Sequence, residues 1–123
     1  MELTKFRTSI LSGYTATAGI NIRTSYTDFT SVMPGQLNIK ITNGATGPTR
    51  PLSIIVEIAN DAAHSVPSCY AGQFIGGTGN NEVKTWSVRM PRDGQSVRLW
   101  LFGDQAATDQ AVTVDCDLST VSW

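Results

Sequence analysis

The sequence predicts an all-β fold, an antiparallel β-sandwich of immunoglobulin-like or jelly-roll-like type with an extended N-terminal arm, and three observations predict it. Apolar and polar residues alternate with a period of two in several segments after residue 36. These segments recur about every ten residues and are bounded by Gly, Pro and Asn turn signals. No segment holds helical spacing over three turns.

In chain order, residues 1–33 are polar and rich in Thr and Ser, with Phe6, Ile10, Leu11, Tyr14, Ile20, Ile22, Tyr26 and Phe29 scattered among them. Residues 3–11 read as an extended arm or a first strand, and 20–22 and 26–29 as short strands. Leu37, Ile39 and Ile41 then alternate with Asn38 and Lys40, the mark of a half-buried strand. Residues 43–51 carry two glycines and two prolines and form a loop. In the next strand Leu52, Ile54, Val56 and Ile58 share one face, and Ile55 and Glu57 the other. Residues 62–82 read as the longest irregular stretch, with a short strand around Cys69-Tyr70 and Gln73-Phe74-Ile75. Trp86, Val88 and Met90 mark another strand, closed by the turn tetrad Pro91-Arg92-Asp93-Gly94. Val97, Leu99 and Leu101 point one way and Arg98, Trp100 and Phe102 the other. Val112, Val114, Cys116 and Leu118 define the last strand. The chain's 123 residues suffice for one core. We therefore expect a single domain, with an arm and first short strands over 1–33 and the sandwich core over 34–123.

Charged residues are only 15% of the chain and the net charge is −1, so no basic stripe is available to a phosphate backbone and nucleic acid is not an expected partner. No apolar run is long enough for a membrane-spanning helix, and no apolar signal core follows Phe6-Arg7. A membrane role and export are not expected.

Catalysis is also not expected. His64 is the chain's one histidine, in the loop Asp61-Ala62-Ala63-His64-Ser65, and no G-x-S-x-G nucleophile elbow accompanies it. The run Gly76 to Asn80 lacks the Lys-Ser/Thr ending of a phosphate loop. Asp115 and Asp117 share a strand face, but two carboxylates fall short of the six to eight oxygens of a calcium site, and they read as solvated charges. Zinc would need more Cys or His than the chain has, unless subunits shared a site. Cys69 and Cys116 read as packed thiols, with pairing within or between chains left open. No metal or cofactor is expected.

The aromatics carry more information. If the strand over 97–102 alternates, both its faces are apolar. Either it is a central strand covered on both sides, or Trp100 and Phe102 form an exposed patch at an interface. Trp123, at the chain end, poses the same choice.

Several segments resemble small virion proteins of tailed bacteriophages, of the capsid decoration (cement) type. They are Thr42-Asn43-Gly44-Ala45-Thr46-Gly47-Pro48-Thr49-Arg50-Pro51 and Ile54-Ile55-Val56-Glu57-Ile58-Ala59-Asn60-Asp61, then Trp86-Ser87-Val88-Arg89-Met90-Pro91 and Gln110-Ala111-Val112-Thr113-Val114-Asp115. They lie between residues 36 and 118, and the first 35 residues do not share in the resemblance. It implies a β-sandwich module made in the host cytoplasm, located on the virion's capsid surface, commonly trimeric, with the major capsid protein as partner. On that basis Phe6 and Ile10 are expected to anchor the arm, and Trp100, Phe102 and Trp123 to make interface contacts. A rival expectation is a carbohydrate-binding or tail-appendage module. It would stack sugars on Trp100, Trp86 or Tyr70, with support from Asn80, Asn81 and Asp104. A hydrolase built on His64 is a third.

Overall fold

A computed structural model describes residues 4–17, 19–29, 35–59, 67–91, 96–103 and 112–122. The described residues form nine strands: β1 (Thr4–Ala16), β2 (Asn21–Arg23), β3 (Thr27–Asp28), β4 (Gln36–Asn43), β5 (Ser53–Ala59), β6 (Pro67–Ile75), β7 (Val83–Arg89), β8 (Ser96–Phe102) and β9 (Val112–Ser122). Among the described residues there is no helix.

The first sheet has the order β1-β9-β4-β7 and the second β2-β8-β5-β6, with β3 also on β8. Every pairing is antiparallel. The chain crosses between sheets at nearly every connection, and its first and last long strands are neighbours, Thr4 opposite Ser122. Two four-stranded layers interleaved in this way are a jelly roll rather than an immunoglobulin-type sandwich. β2 and β3 are one interrupted strand on β8. Across the break the Thr24 N–H donates to the Leu99 carbonyl (2.9 Å), and the Leu99 N–H donates to Thr24 Oγ1 (3.0 Å).

Period-two patterning dictates what fills the space between the sheets. Leu37, Ile39 and Ile41 of β4 and Val114, Cys116 and Leu118 of β9 face Ile54, Val56 and Ile58 of β5 and Val97, Leu99 and Leu101 of β8, all buried. Their branched side chains suit a pleated, covered surface. Phe74 and Trp86, with ring centroids 5.4 Å apart, join the sheets at the β6–β7 margin. Ala16 and Phe29 lie in this same cluster, so the first 33 residues share the core of the rest.

In two segments the structure decides or corrects the sequence expectation. Residues 3–11 read as an arm or a first strand, and the structure makes Thr4–Ala16 a strand: β1 pairs with β9 along its length. Its weak periodicity has a physical origin, because register shifts between Ser9 and Leu11 and between Leu11 and Tyr14 break the alternation. Gly13 supplies the left-handed φ (59°) that the second irregularity needs, and its N–H donates to Asp115 Oδ1 at 2.7 Å. The second segment is the supposedly irregular stretch 62–82, which contains the nine-residue strand β6. Pro67 is tolerated there as the first residue of an edge strand.

One end of the sandwich is closed by two interlocked loops. Asn43 Nδ2 donates to the carbonyls of Gly77 (3.0 Å) and Gly79 (2.9 Å), and the Gly47 N–H donates to Asn80 Oδ1 (2.8 Å). Gly47 must be glycine here, since a Cβ would lie 2.2 Å from the Thr78 carbonyl oxygen.

Cys116 is a buried free thiol, pushed up from 9.0 to about 12 by burial first and by the neighbouring Asp117 charge second. The folded thiol therefore stays protonated while the unfolded one ionises. Its stabilising contribution is whole below about pH 9 and is lost as pH rises toward about 12, with a slope approaching ~1.4 kcal/mol per pH unit. Denaturant titrations in a Cys69→Ser background are expected to show this alkaline loss, and Cys116→Val to lack that part of it.

Candidate functional site

The outer face of the second sheet gathers the most chemistry. β8 is central there, so the residues it turns away from the core meet partners on both sides. Trp100 stands opposite Ile55 and Arg23, Phe102 opposite Ser53 and Asn21, and Arg98 opposite Glu57. Register alone thus brings aromatic, cationic and anionic side chains from three strands into one patch.

Its centre is Glu57. The side chain is only 9% exposed, and Oε1 accepts from Arg23 Nε at 3.0 Å and from Arg98 Nε at 3.1 Å. A carboxylate so far removed from water needs such donors. Each guanidinium also lies over an aromatic ring: Arg23 is 4.0 Å from the Trp100 ring centre and Arg98 is 4.6 Å from that of Tyr26. Trp100 Nε1 donates to Asn21 Oδ1 (2.7 Å), and Phe102 tilts against Trp100 at 5.0 Å. The ladder Tyr26–Arg98–Glu57–Arg23–Trp100–Phe102, on strands except for Tyr26 in the break between β2 and β3, is therefore fixed by mutual contacts and largely preorganised. Beyond Phe102 a shallow, open hollow of about 430 Å³ is lined by Arg50, Pro51, Ser53, Phe102 and Gly103.

Trp100 and Phe102 are half-buried on the outside of a central strand. β1 does not cover them, because it belongs to the other sheet, whereas Asn21 and Arg23 of β2 contact Trp100. Trp86 is not on this face; it packs on the core against Phe74. Asn80 is occupied by Gly47, and Asn81 holds a left-handed turn (φ 56°). Among the described members of the sugar-binding set expected from the sequence, Trp100 thus stands apart from Trp86. His64, Asp104, Trp123 and the side chains of Cys69 and Tyr70 lie outside the described residues, as do most of the turn over 91–94 and the Asn60-Asp61 turn.

The outer face of the first sheet carries a second, polar ladder. Arg7 Nε contacts Asp117 Oδ2 (3.2 Å), Asn38 Nδ2 donates to Asp117 Oδ1 (2.8 Å), and Ser87 Oγ donates to Asn38 Oδ1 (2.9 Å). Asp115 accepts from Gly13. The two aspartates tie strands together instead of lying idle in solvent. Among the described residues no three His, Cys, Asp or Glu side chains converge as metal ligands would. At the free edge of this sheet Phe6 is 50% exposed, opposite Thr120, whereas Ile10 packs partly against the core.

Sequence reasoning missed the Arg23–Glu57–Arg98 cluster. The available signal was a lone acid inside the apolar run Ile54-Ile55-Val56-Glu57-Ile58.

No protein-family model matches the chain, and no curated protein matches it. Solved structures share its fold. The K3 cleaved adhesin domain of Lys-gingipain from Porphyromonas gingivalis is similar with a TM-score of 0.60 at 11% identity, over 93% of this chain and 72% of that one. The K1 cleaved adhesin domain of the same protein is similar at 0.50 and 11%, over 97% and 98% of the two chains. VP2 of infectious bursal disease virus, in a subviral particle, is similar at 0.57 and 5%, over 96% of this chain and 32% of VP2, so the chain spans about a third of that capsid protein. At these identities the likeness establishes the fold, an all-β sandwich of jelly-roll type that adhesin domains and a viral capsid protein also adopt.

Proposed function

We propose that the chain is a structural virion protein of the capsid-decoration kind. It binds the outer surface of a phage capsid, bridges neighbouring major capsid protein subunits and self-associates as a homotrimer. The observation that carries this reading is β1, a 13-residue strand at a sheet edge whose far side has no strand partner among the described residues. Its first six residues, Thr4 to Ser9, are all exposed and precede the irregularities that bend the rest. A regular open edge is a template for strand addition from a neighbour, where main-chain hydrogen bonds supply affinity. Phe6, on that edge, offers an apolar anchor. The low charged fraction, 15%, suits surfaces that become covered on assembly. The fold shared with a capsid protein and with adhesin domains is consistent with such a module. Repetition of the contact over a symmetric shell turns a weak single attachment into a firm one.

The test mixes purified protein with expanded capsids that lack it, and measures its mass alone by light scattering. Saturable capsid binding and a mass three times 13.2 kDa are expected. Phe6→Ala is expected to fold normally and to weaken capsid binding about tenfold, the equivalent of ~1.4 kcal/mol. A strict monomer without capsid affinity would overturn the proposal.

A further inference from the structure

We propose that the outer face of the second sheet is a binding site for an acidic saccharide, a sugar bearing a carboxylate. Two arginines share one carboxylate oxygen there, which leaves the centre of the patch with a surplus positive charge. Both engage Glu57 through Nε, and among the described residues no acceptor is seen at their terminal nitrogens. Arg23 is accessible, with a side chain 41% exposed. A planar guanidinium whose Nε is occupied and whose central carbon lies over an indole is held in place, with N–H groups left over for a second carboxylate. The Arg23–Trp100–Phe102 row leads directly to the hollow of about 430 Å³ bordered by Phe102, Pro51 and Arg50, room for one or two sugar rings.

A sugar fits these observations better than a peptide strand. The edge beside the patch is broken, with three residues of β2 followed by two of β3, and offers no long run of open amides. A neutral sugar stacked on Trp100 fits less well, because Arg23 already lies over that ring. The site is on the opposite sheet from β1, so this proposal stands or falls independently of capsid attachment.

The experiment titrates the purified full chain by calorimetry with hexagalacturonate and sialyllactose, with galactohexaose and lactose as neutral counterparts and polyglutamate as an acidic peptide. At least one acidic sugar is expected to bind about tenfold or more tightly than its neutral counterpart, and more weakly as salt is raised. Arg23→Gln, at an accessible edge position, is expected to reduce that affinity about tenfold while the protein stays folded with a modestly lowered melting midpoint, and Phe6→Ala is expected to leave the affinity intact. Phe102→Ala reports on the hollow and is expected to weaken the sugar without altering the salt dependence. Equal binding of acidic and neutral sugars, binding of polyglutamate at least as tight, or no binding of any sugar at millimolar concentration would each overturn the proposal.

Discussion

Leu99→Ala is expected to cost about 3 kcal/mol, enough to lower the melting midpoint by roughly 10 °C. Leu99 is completely buried in β8, the strand flanked by β2 and β5, and it lies in register with Val56. Its side chain fills the space between two sheets whose other walls, Ile54, Val56, Leu101, Ile39 and Val114, are also fully or almost fully enclosed. β-branched neighbours have few rotamers with which to collapse into the void, so the cavity penalty adds to the lost transfer energy. The backbone at this position has a further task, bridging the break between β2 and β3 through Thr24. Urea unfolding of the wild type and the variant measures the difference. A loss under ~1 kcal/mol would mean that the two layers do not enclose a packed core at this point.

Glu57→Gln is expected to cost about 2 kcal/mol, although it changes neither shape nor volume. A fully buried pair that loses one partner typically loses about 3–5 kcal/mol, and exposure of Arg23 (41%) and Arg98 (23%) reduces that figure through solvent screening. The amide keeps a weak acceptor but leaves two guanidinia side by side without a counter-charge. A double-mutant cycle with Arg23→Gln separates this effect from simple packing, since Arg23→Gln should then cost less in the Glu57→Gln background than in the wild type. Additive losses would show that Arg23 and Glu57 do not act together.

How much of this is legible in the sequence depends on which physical signal each element carries. β4, β8, β9 and the first half of β5 bury alternate residues, and their alternation announces both strand and face: Ile54 and Val56 against Ile55, or Leu99 and Leu101 against Trp100. β1 reads equally as arm or strand because an edge strand with two irregularities buries little, and burial is what imposes the period. β6 hides behind Pro67 and Gly72, residues that read as breakers unless the strand is known to lie at a sheet edge. The choice between jelly roll and immunoglobulin-type sandwich depends on which strands pair, and Thr4 opposite Ser122 has no local signature.

The site shows the same division. Trp100 and Phe102 stand out because a strand with two apolar faces is unusual, and the structure places them together on an outer face. Their polar companions come from elsewhere in the chain: Arg23 is 34 residues from Glu57, and Arg98 is 41. No spacing rule joins such residues, since only sheet register sets them side by side. Asp115 and Asp117, which read as solvated charges, prove to be ties to β1 and β4, again through partners that pairing alone supplies.

Residue-level amide hydrogen exchange across β1 addresses the central claim most directly, measured on the free protein and again after it binds expanded capsids. In the free state, the β1 amides that point at β9 should exchange slowly and the alternate, outward amides quickly, as at an open sheet edge. On the capsid the outward set from Thr4 to Ser9 should slow as well. Uniformly fast exchange along β1, or an outward set unaffected by the capsid, would contradict the claim that this strand is both part of the sandwich and its docking edge.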